Sequence, residues 1–587
     1  MLGNVLEIRD NIVIVNLKIN ISEFNSLINN YVIFQDNKQI VGEIINILDN
    51  KLYVNLIGEI QNNKFVFGIS AKPSFRANVG LINHQDIPYI ISKQGKEYET
   101  LYLGTSPIYE NININIDINN FFNAHFAILG GTGSGKSWST ARIIQNIFNK
   151  KDYIPTKSSL FVFDTYGEYH NAFKGIEDFN PQFAFKSYTT NLEANEEILN
   201  IPAFLLGVDD LAILLNATTP NQLQILEKTL RLVNIFKQED VDVLKIKNDI
   251  IARAILDILL SGRPASQIRD QIFSILSFYK TSELSLETII SQPGYNRPLK
   301  QCLLIDADGK MREMELLTEF FGKFLLEQQE DVPTGLITYN LKDIENALDF
   351  ALISEGILKS EKIFDENNLL KVRIHSLVNS GNNIYFDYDY YLTKEDYINK
   401  LLTIDGKKAQ IINFNISYVD DRLAKTIVKI ISKMLFDVSK SIKPRASMPF
   451  HIILEEAHRY VQTDGDVKLL GYNIFERISK EGRKYGILLG IISQRPSELS
   501  ETVISQCNNF LIFKIVHPKD VEYIEKLVPF MTKEISKNIQ IVQPGFCYGF
   551  GSSFKLPTLV KIDSPNPTPE SNNVDISNTW FIENNQN

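Results

Sequence analysis

Between residues 130 and 137 the chain reads Gly-Gly-Thr-Gly-Ser-Gly-Lys-Ser, a match to G-x-x-x-x-G-K-[ST], and few short stretches restrict a fold so strongly. The flanks give the match its value. Ala124 to Leu129 reads as a short buried strand and Trp138 to Phe148 as a helix, so the glycines sit where a strand hands over to a helix. Glycine freedom lets such a loop turn its backbone N–H groups inward around phosphate oxygens, at a helix N-terminus that itself favours negative charge. The pattern predicts a nucleoside triphosphate site in an α/β fold. Gly131, Thr132, Gly133, Ser134 and Gly135 form the cradle, Lys136 reaches the β- and γ-phosphates, and the Ser137 hydroxyl is placed to ligate Mg²⁺ beside ATP.

A phosphate loop states binding, whereas turnover needs acids. The apolar run ending at Leu454 delivers Glu455 and Glu456 at its tip, and ligands of an open α/β sheet gather at the C-terminal ends of its strands. In such a pair the first acid supports the metal through water and the second polarises the attacking water, so Glu455 is expected at the metal and Glu456 as the base. The next apolar run, Ile487 to Ile492, ends in Ser493-Gln494. An amide at that tip is suited to sense the γ-phosphate or the water, which makes Gln494 the candidate sensor. Between the two runs lies a cation-rich stretch, Phe475 to Gly486, whose charges mostly suit a solvated helix end. A site shared between subunits would nevertheless require one arginine from it.

At 587 residues the chain exceeds a single core, and 44% hydrophobic with 22% charged residues describes ordinary globular domains. Cys302, Cys507 and Cys547 lie far apart and the seven histidines form no ligand cluster, so neither a disulfide framework nor a zinc site is expected and a reducing cytoplasm fits. The N-terminal MLGNVLEIRDN has no basic stretch followed by an apolar run, and no long uncharged apolar segment occurs, so the expectation is a protein neither exported nor membrane-spanning. A net charge of −10 excludes a surface coated in cations but not a positive channel inside a ring.

Along the chain, residues 1–95 show short strands separated by turn pairs such as Asp10-Asn11 and Asp49-Asn50, the pattern of a small β-barrel. Residues 96–194 hold the phosphate loop and a second strand ending in Asp164. In 195–300 the periodicity turns helical, with a capping box at Thr219-Pro220-Asn221-Gln222. Residues 301–405 are mixed and without motif, parallel strands resume over 406–564, including Ala409 to Phe414 and Phe510 to Ile515, and 565–587 reads as an extended tail. Trp580 and Phe581 near its end are suited to docking on a neighbour.

Five segments in order, LGGTGSGKSWS, FDTYGEY (Phe163 to Tyr169), LEEAHRY (Leu454 to Tyr460), EGRKYG (Glu481 to Gly486) and SQRPSELSETVISQCNNFLIFKI (Ser493 to Ile515), are similar to the HerA family of ring-forming ATPases, relatives of the FtsK-type DNA pumps. The resemblance implies a RecA-like P-loop ATPase core, an N-terminal barrel of the HAS-barrel type and an α-helical insertion. By the same resemblance Asp164 and Glu168 line the site beyond the second strand, Glu456 is the base, Gln494 the sensor, and Arg483 reaches the neighbouring subunit's nucleotide, with Arg477 as its competitor. One position departs: the family usually has aspartate where this chain has Glu455, and the extra methylene moves the carboxylate by about 1.5 Å. The resemblance further implies a homo-hexamer around double-stranded DNA in a central channel. It implies a partner docked on the barrel, a NurA-like nuclease in DNA end processing or a nuclease or sirtuin-like NAD hydrolase in anti-phage defence. A reading of another class is a nucleotide-stabilised ring scaffold that activates its partner, and DNA-stimulated ATP turnover separates the two. A protein-translocating ATPase of conjugation or secretion is disfavoured by the lack of membrane segments.

Overall fold

The computed structural model describes residues 2–18, 27–62, 64–327, 337–355, 361–463, 465–571 and 576–580. They divide into two compact units, one of residues 1–197, 398–463 and 474–587, the other of 198–397 and 464–473.

The first unit begins with the barrel. Alternation places Val13, Val15, Val32, Phe34, Ile44, Leu52 and Val54 in one sealed interior. Gly3–Arg9, Asn78–Leu81, Tyr31–Gln35, Gln39–Leu48, Lys51–Gln61 and Ile12–Leu17 pair in that order, and the last of them returns to the first, so the ring has no open edge. Lys64–Phe67 adds to Lys51–Gln61 outside the ring. The turn pairs do what their composition suggests: Asp10, Asp49, Asn50 and Asn62 take left-handed backbone conformations that Asp and Asn tolerate.

The rest of the unit is built on a sheet whose centre is parallel. Its neighbours run Phe185–Thr189, Ile411–Asn415, Leu160–Asp164, Phe450–Leu454, Ile487–Ser493, His125–Leu129 and Cys507–Ile512. Phe546–Gly551, Thr558–Ile562, Thr100–Thr105 and Asn113–Asp117 extend it antiparallel. The strand leading into the phosphate loop thus lies between two strands from the far end of the sequence, and all of their C-terminal tips open on one side. The apolar run expected as a strand over Phe510 to Ile515 instead pairs from Cys507, because Asn509, which reads as a turn residue, is buried and satisfied. Its amide donates to the Asn120 carbonyl (2.9 Å) and accepts from the Ser553 N–H (2.9 Å).

Residues 565–571, read from composition as an extended tail, lie fixed along the helix that follows the loop, Lys136–Phe148. Gln145 clamps them from both ends of its amide, accepting from the Asn566 N–H (3.0 Å) and donating to the Pro567 carbonyl (2.8 Å), and the Trp138 indole donates to the Ser571 hydroxyl (2.8 Å). A short helix, Ile576–Trp580, follows with Trp580 exposed, and Phe581 lies outside the described residues.

The second unit is mainly helical. Thr219 caps Pro220–Phe236 as its sequence predicts, with its hydroxyl accepting from the Gln222 N–H and the Gln222 side chain accepting from the Thr219 N–H. Val241–Leu259 and Ala265–Phe278 follow, then a hairpin of Ile289–Gln292 with Tyr295–Pro298. Past residue 300, where the sequence shows no motif, the helices continue with Met314–Gly322, Leu341–Glu355 and Glu361–Asn379. Among the described residues no helix is long and apolar enough to cross a membrane.

Candidate functional site

The loop between Leu129 and Lys136 curls because its glycines do what other residues resist: Gly133 and Gly135 have φ of +70° and +88°. A Cβ on Gly135 would also stand 2.7 Å from the Gly545 nitrogen, since the Gln543-Pro544-Gly545 turn packs against the loop and the Gly545 N–H donates to the Ser134 carbonyl (3.0 Å). The result is a cavity of about 500 Å³ lined by Thr132 to Ser139, Glu168 and Gln494 on one side. Lys136 is buried within it and its ammonium rests on the Gly131 carbonyl (3.3 Å). Burial lowers its pKa while the charges of Glu456, Glu455 and Glu168 pull it back up. The Ser134 hydroxyl and one oxygen of Glu168 are buried there without a protein partner, which suits a cavity whose polar contents come from a bound phosphate and ion.

At the tip of Phe450–Leu454 the two acids part. Glu456 adopts φ 45°, a left-handed conformation that costs energy in a non-glycine residue and that clusters at functional sites. Its carboxylate accepts from the Gln494 amide, whose oxygen in turn accepts from the Thr132 hydroxyl (2.5 Å). One connected chain thus runs from the phosphate loop through the expected sensor to the expected base. His458 Nδ1 stands 3.2 Å from the other Glu456 oxygen, and burial lowers its pKa, so the imidazole is held neutral there.

Glu455, expected at the metal, is instead turned into the sheet. Neither acid lines the cavity directly, and whereas Glu456 meets it through Gln494, the Glu455 carboxylate accepts from the Thr165 N–H (3.1 Å) and lies against Asp164. Asp164 is itself buried, spanning the next turn by accepting from the N–H groups of Gly167, Glu168 and Tyr169 at 2.8 to 3.0 Å. The strand ends at Leu454, and the left-handed backbone of Glu456 parts the two carboxylates, sending one to Gln494 and leaving the other on Thr165 and Asp164. The acid beside the Ser137 hydroxyl is Glu168, with its pKa raised by burial and lowered by that hydroxyl.

Burial first, and then the charges of Asp164, Glu168 and Glu456, hold Glu455 well above the ordinary carboxylate range, so it shares a proton with Asp164. A carboxyl raised on folding contributes stability at low pH that is lost as pH rises through its folded pKa. Glu455→Gln keeps an acceptor for Thr165 and a donor for Asp164 without an ionisation to suppress. Its melting temperature is therefore expected to equal or exceed that of the wild type at pH 8.5, with the advantage shrinking as pH falls towards 5. A variant that melts lower at every pH would show that the Glu455 charge is needed.

Of the two arginines, Arg477 is engaged within the chain, 3.8 Å from Glu481 and over the Phe436 ring. Arg483 follows the helix Ile474–Glu481, is exposed, and its side chain makes no hydrogen bond or ion pair with the described residues.

The opposite wall of the cavity carries no motif: Trp138, Pro544 to Phe546, Lys561 to Ser564, and Ser571. Asp563 there accepts from the Tyr102 hydroxyl (2.8 Å). The one local signal in sequence is the Pro544-Gly545 pair, where Gly545 has φ +81°. Among the described residues no three His, Cys, Asp or Glu side chains form a metal cluster.

The model of the family described as "Helicase HerA, central domain" matches residues 101–435. The DNA double-strand break repair helicase HerA of Sulfolobus acidocaldarius is 24% identical over 558 residues, covering 91% of this chain and 88% of that protein. Relatives of the same description from Pyrococcus furiosus (37% over 119 residues) and Sulfurisphaera tokodaii (26% over 257 residues) align over 20% and 43% of this chain and 21% and 49% of their own lengths. Among solved structures, VirB4 of Thermoanaerobacter pseudethanolicus aligns over 81% of this chain and 98% of its own at 12% identity and a TM-score of 0.43.

Proposed function

The chain belongs to the HerA helicase central-domain family, and on that premise we propose that it is a Mg²⁺-dependent ATPase whose hexameric ring drives double-stranded DNA through a central channel for a partner effector docked on the barrel. The observation that carries the enzymatic part is the Thr132–Gln494–Glu456 chain at the mouth of the phosphate loop. A loop used only for binding has no need of a base held in a strained backbone conformation and aimed by an amide.

In this reading Gly131 to Gly135 offer their N–H groups to the phosphates and Lys136 supplies the compensating cation. Ser137 and Glu168 would hold Mg²⁺, which when bound neutralises charge building up between the β- and γ-phosphates. Glu456 takes the proton of the attacking water, Gln494 fixes that carboxylate and registers the γ-phosphate through Thr132, and the neutral His458 stands ready to accept the proton onward. Asp164 and Glu455 act from behind, by fixing the 164–169 turn that presents Glu168. The effector is a nuclease in DNA end processing, or a nuclease or NAD hydrolase in anti-phage defence. Stimulation of ATP turnover by duplex DNA tests the motor; turnover indifferent to DNA would favour the scaffold.

The shared site has its own test. Arg483→Ala is expected to bind ATP normally and to hydrolyse it slower by a factor on the order of 10³, as for other arginine fingers. Lys136→Ala subunits still offer Arg483, and Arg483→Ala subunits still offer a working loop, so mixed rings should regain turnover that neither variant shows alone. Verified mixed rings without recovery, or a fully active monomer, would remove Arg483 from the site.

A further inference from the structure

A second cavity, of about 600 Å³, lies between the barrel and the part of the core spanning residues 532–559. Its walls carry two carboxylates, Glu43 from the barrel strand Gln39–Leu48 and Glu534 from the helix Lys533–Ile541, and no lysine, arginine or histidine. Neither carboxylate has a hydrogen bond or ion pair with the described residues, so Glu43, partly buried, and Glu534, exposed, face one half-open space with no counter-charge. Burial first, then the Glu534 charge, pushes the Glu43 pKa up to about 7. Phenol rings complete the site. Tyr31 and Tyr109 stack with centroids 5.8 Å apart, and Tyr548 stands near both carboxylates. The Tyr109 hydroxyl donates to the Asn29 carbonyl (2.6 Å), but Tyr31, only 7% exposed, has no hydrogen-bond partner for its own among the described residues. The remaining walls mix isoleucines, among them Ile12, Ile45, Ile108 and Ile535, with amide and hydroxyl side chains.

We infer that this cavity is a binding site for an aliphatic diamine or polyamine, whose ammonium groups pair with Glu43 and Glu534 while its methylenes pack on the isoleucines. The chemistry is specific on three counts. A desolvated carboxylate gains most from a cation that reaches it without water. Ring faces attract an ammonium, and the free Tyr31 hydroxyl accepts an N–H. An alkyl stem fills apolar wall that a hydrated metal ion would leave unsatisfied, and the volume falls within the range of small-ligand sites. Two acids without a cation call for a ligand carrying two charges. The Glu534 helix runs on through Val542 and Gln543 into the Pro544–Gly545 turn that braces the phosphate loop, so the occupant would touch the element next to the nucleotide cavity.

Titration calorimetry of the full chain with spermidine or putrescine, without nucleotide or DNA, tests this independently of any ATPase activity. The expected result is saturable binding at one molecule per chain, weakened at least tenfold in Glu43→Gln with Glu534→Gln, and absent for 1,4-butanediol, which matches the stem but carries no charge. Binding to the wild type should also weaken between pH 8 and pH 5.5 as Glu43 takes up a proton, the groups facing it being Glu534, Tyr31, Tyr109 and Tyr548 and none of them basic. No saturable heat with either amine, equal binding by the double variant, or a stoichiometry of many amines per chain would overturn the assignment. So would a preference for a lysine-containing peptide over the free amines, which would make the cavity a protein contact. Because Gln replaces Glu without changing shape and removes charge that no cation balances, the variant is expected to fold, and circular dichroism verifies it.

Discussion

Lys136→Ala is expected to abolish measurable ATP hydrolysis and to weaken nucleotide binding by roughly 10- to 100-fold, the loss of a charge-assisted contact of about 1.5–3 kcal/mol. Burial already disfavours the ammonium, and the Glu456 charge is the largest influence opposing it. Arrival of the phosphates therefore adds charge of the sign that the lysine lacks, and alanine leaves those phosphates buried without their cation. Phosphate release and binding of a fluorescent nucleotide, measured on protein with unchanged circular dichroism, separate the two effects. Turnover like that of the wild type would remove the loop from the chemistry.

Glu456→Gln should do the opposite to binding: ATP affinity is retained, while turnover falls by about 10²–10⁴, the usual contribution of a positioned base. The amide keeps an oxygen for the Gln494 donor, so the chain to Thr132 survives. It cannot take a proton. Equilibrium binding and single-turnover chemistry on the same preparation check this. A collapse of affinity alongside turnover would mean that Glu456 holds the phosphates or their metal, leaving Glu168 free of that role.

The phosphate loop was legible because its chemistry is local: glycine spacing reports positive φ directly, and Gly133 and Gly135 have it. The parallel strands were legible for a similar reason, since a strand covered on both faces is mostly apolar. Asn509 defeated that rule by satisfying its amide inside the sheet. The direction of Glu455 was hidden, because adjacency in sequence says two acids arrive together while the left-handed turn at Glu456 sends them to different partners. Glu168 came to notice only by family likeness; what places it beside Ser137 is the Asp164 turn, a set of backbone hydrogen bonds with no signature in composition. The far wall, from Pro544 to Ser571, was hidden for the same reason. Its residues matter for where the fold carries them rather than for their type.

That far wall sets a timetable. Trp138 and Ser571 touch although 433 positions separate them, and a ribosome adding about 5–20 residues per second needs roughly 20–90 s to cover that interval. Throughout it the phosphate loop has left the ribosome with its glycines unbraced by Gly545 and its helix without the strap that Gln145 clamps. A nascent chain therefore carries the motif long before it carries the cavity, so competence for nucleotide arrives late and all at once rather than with the motif's own synthesis.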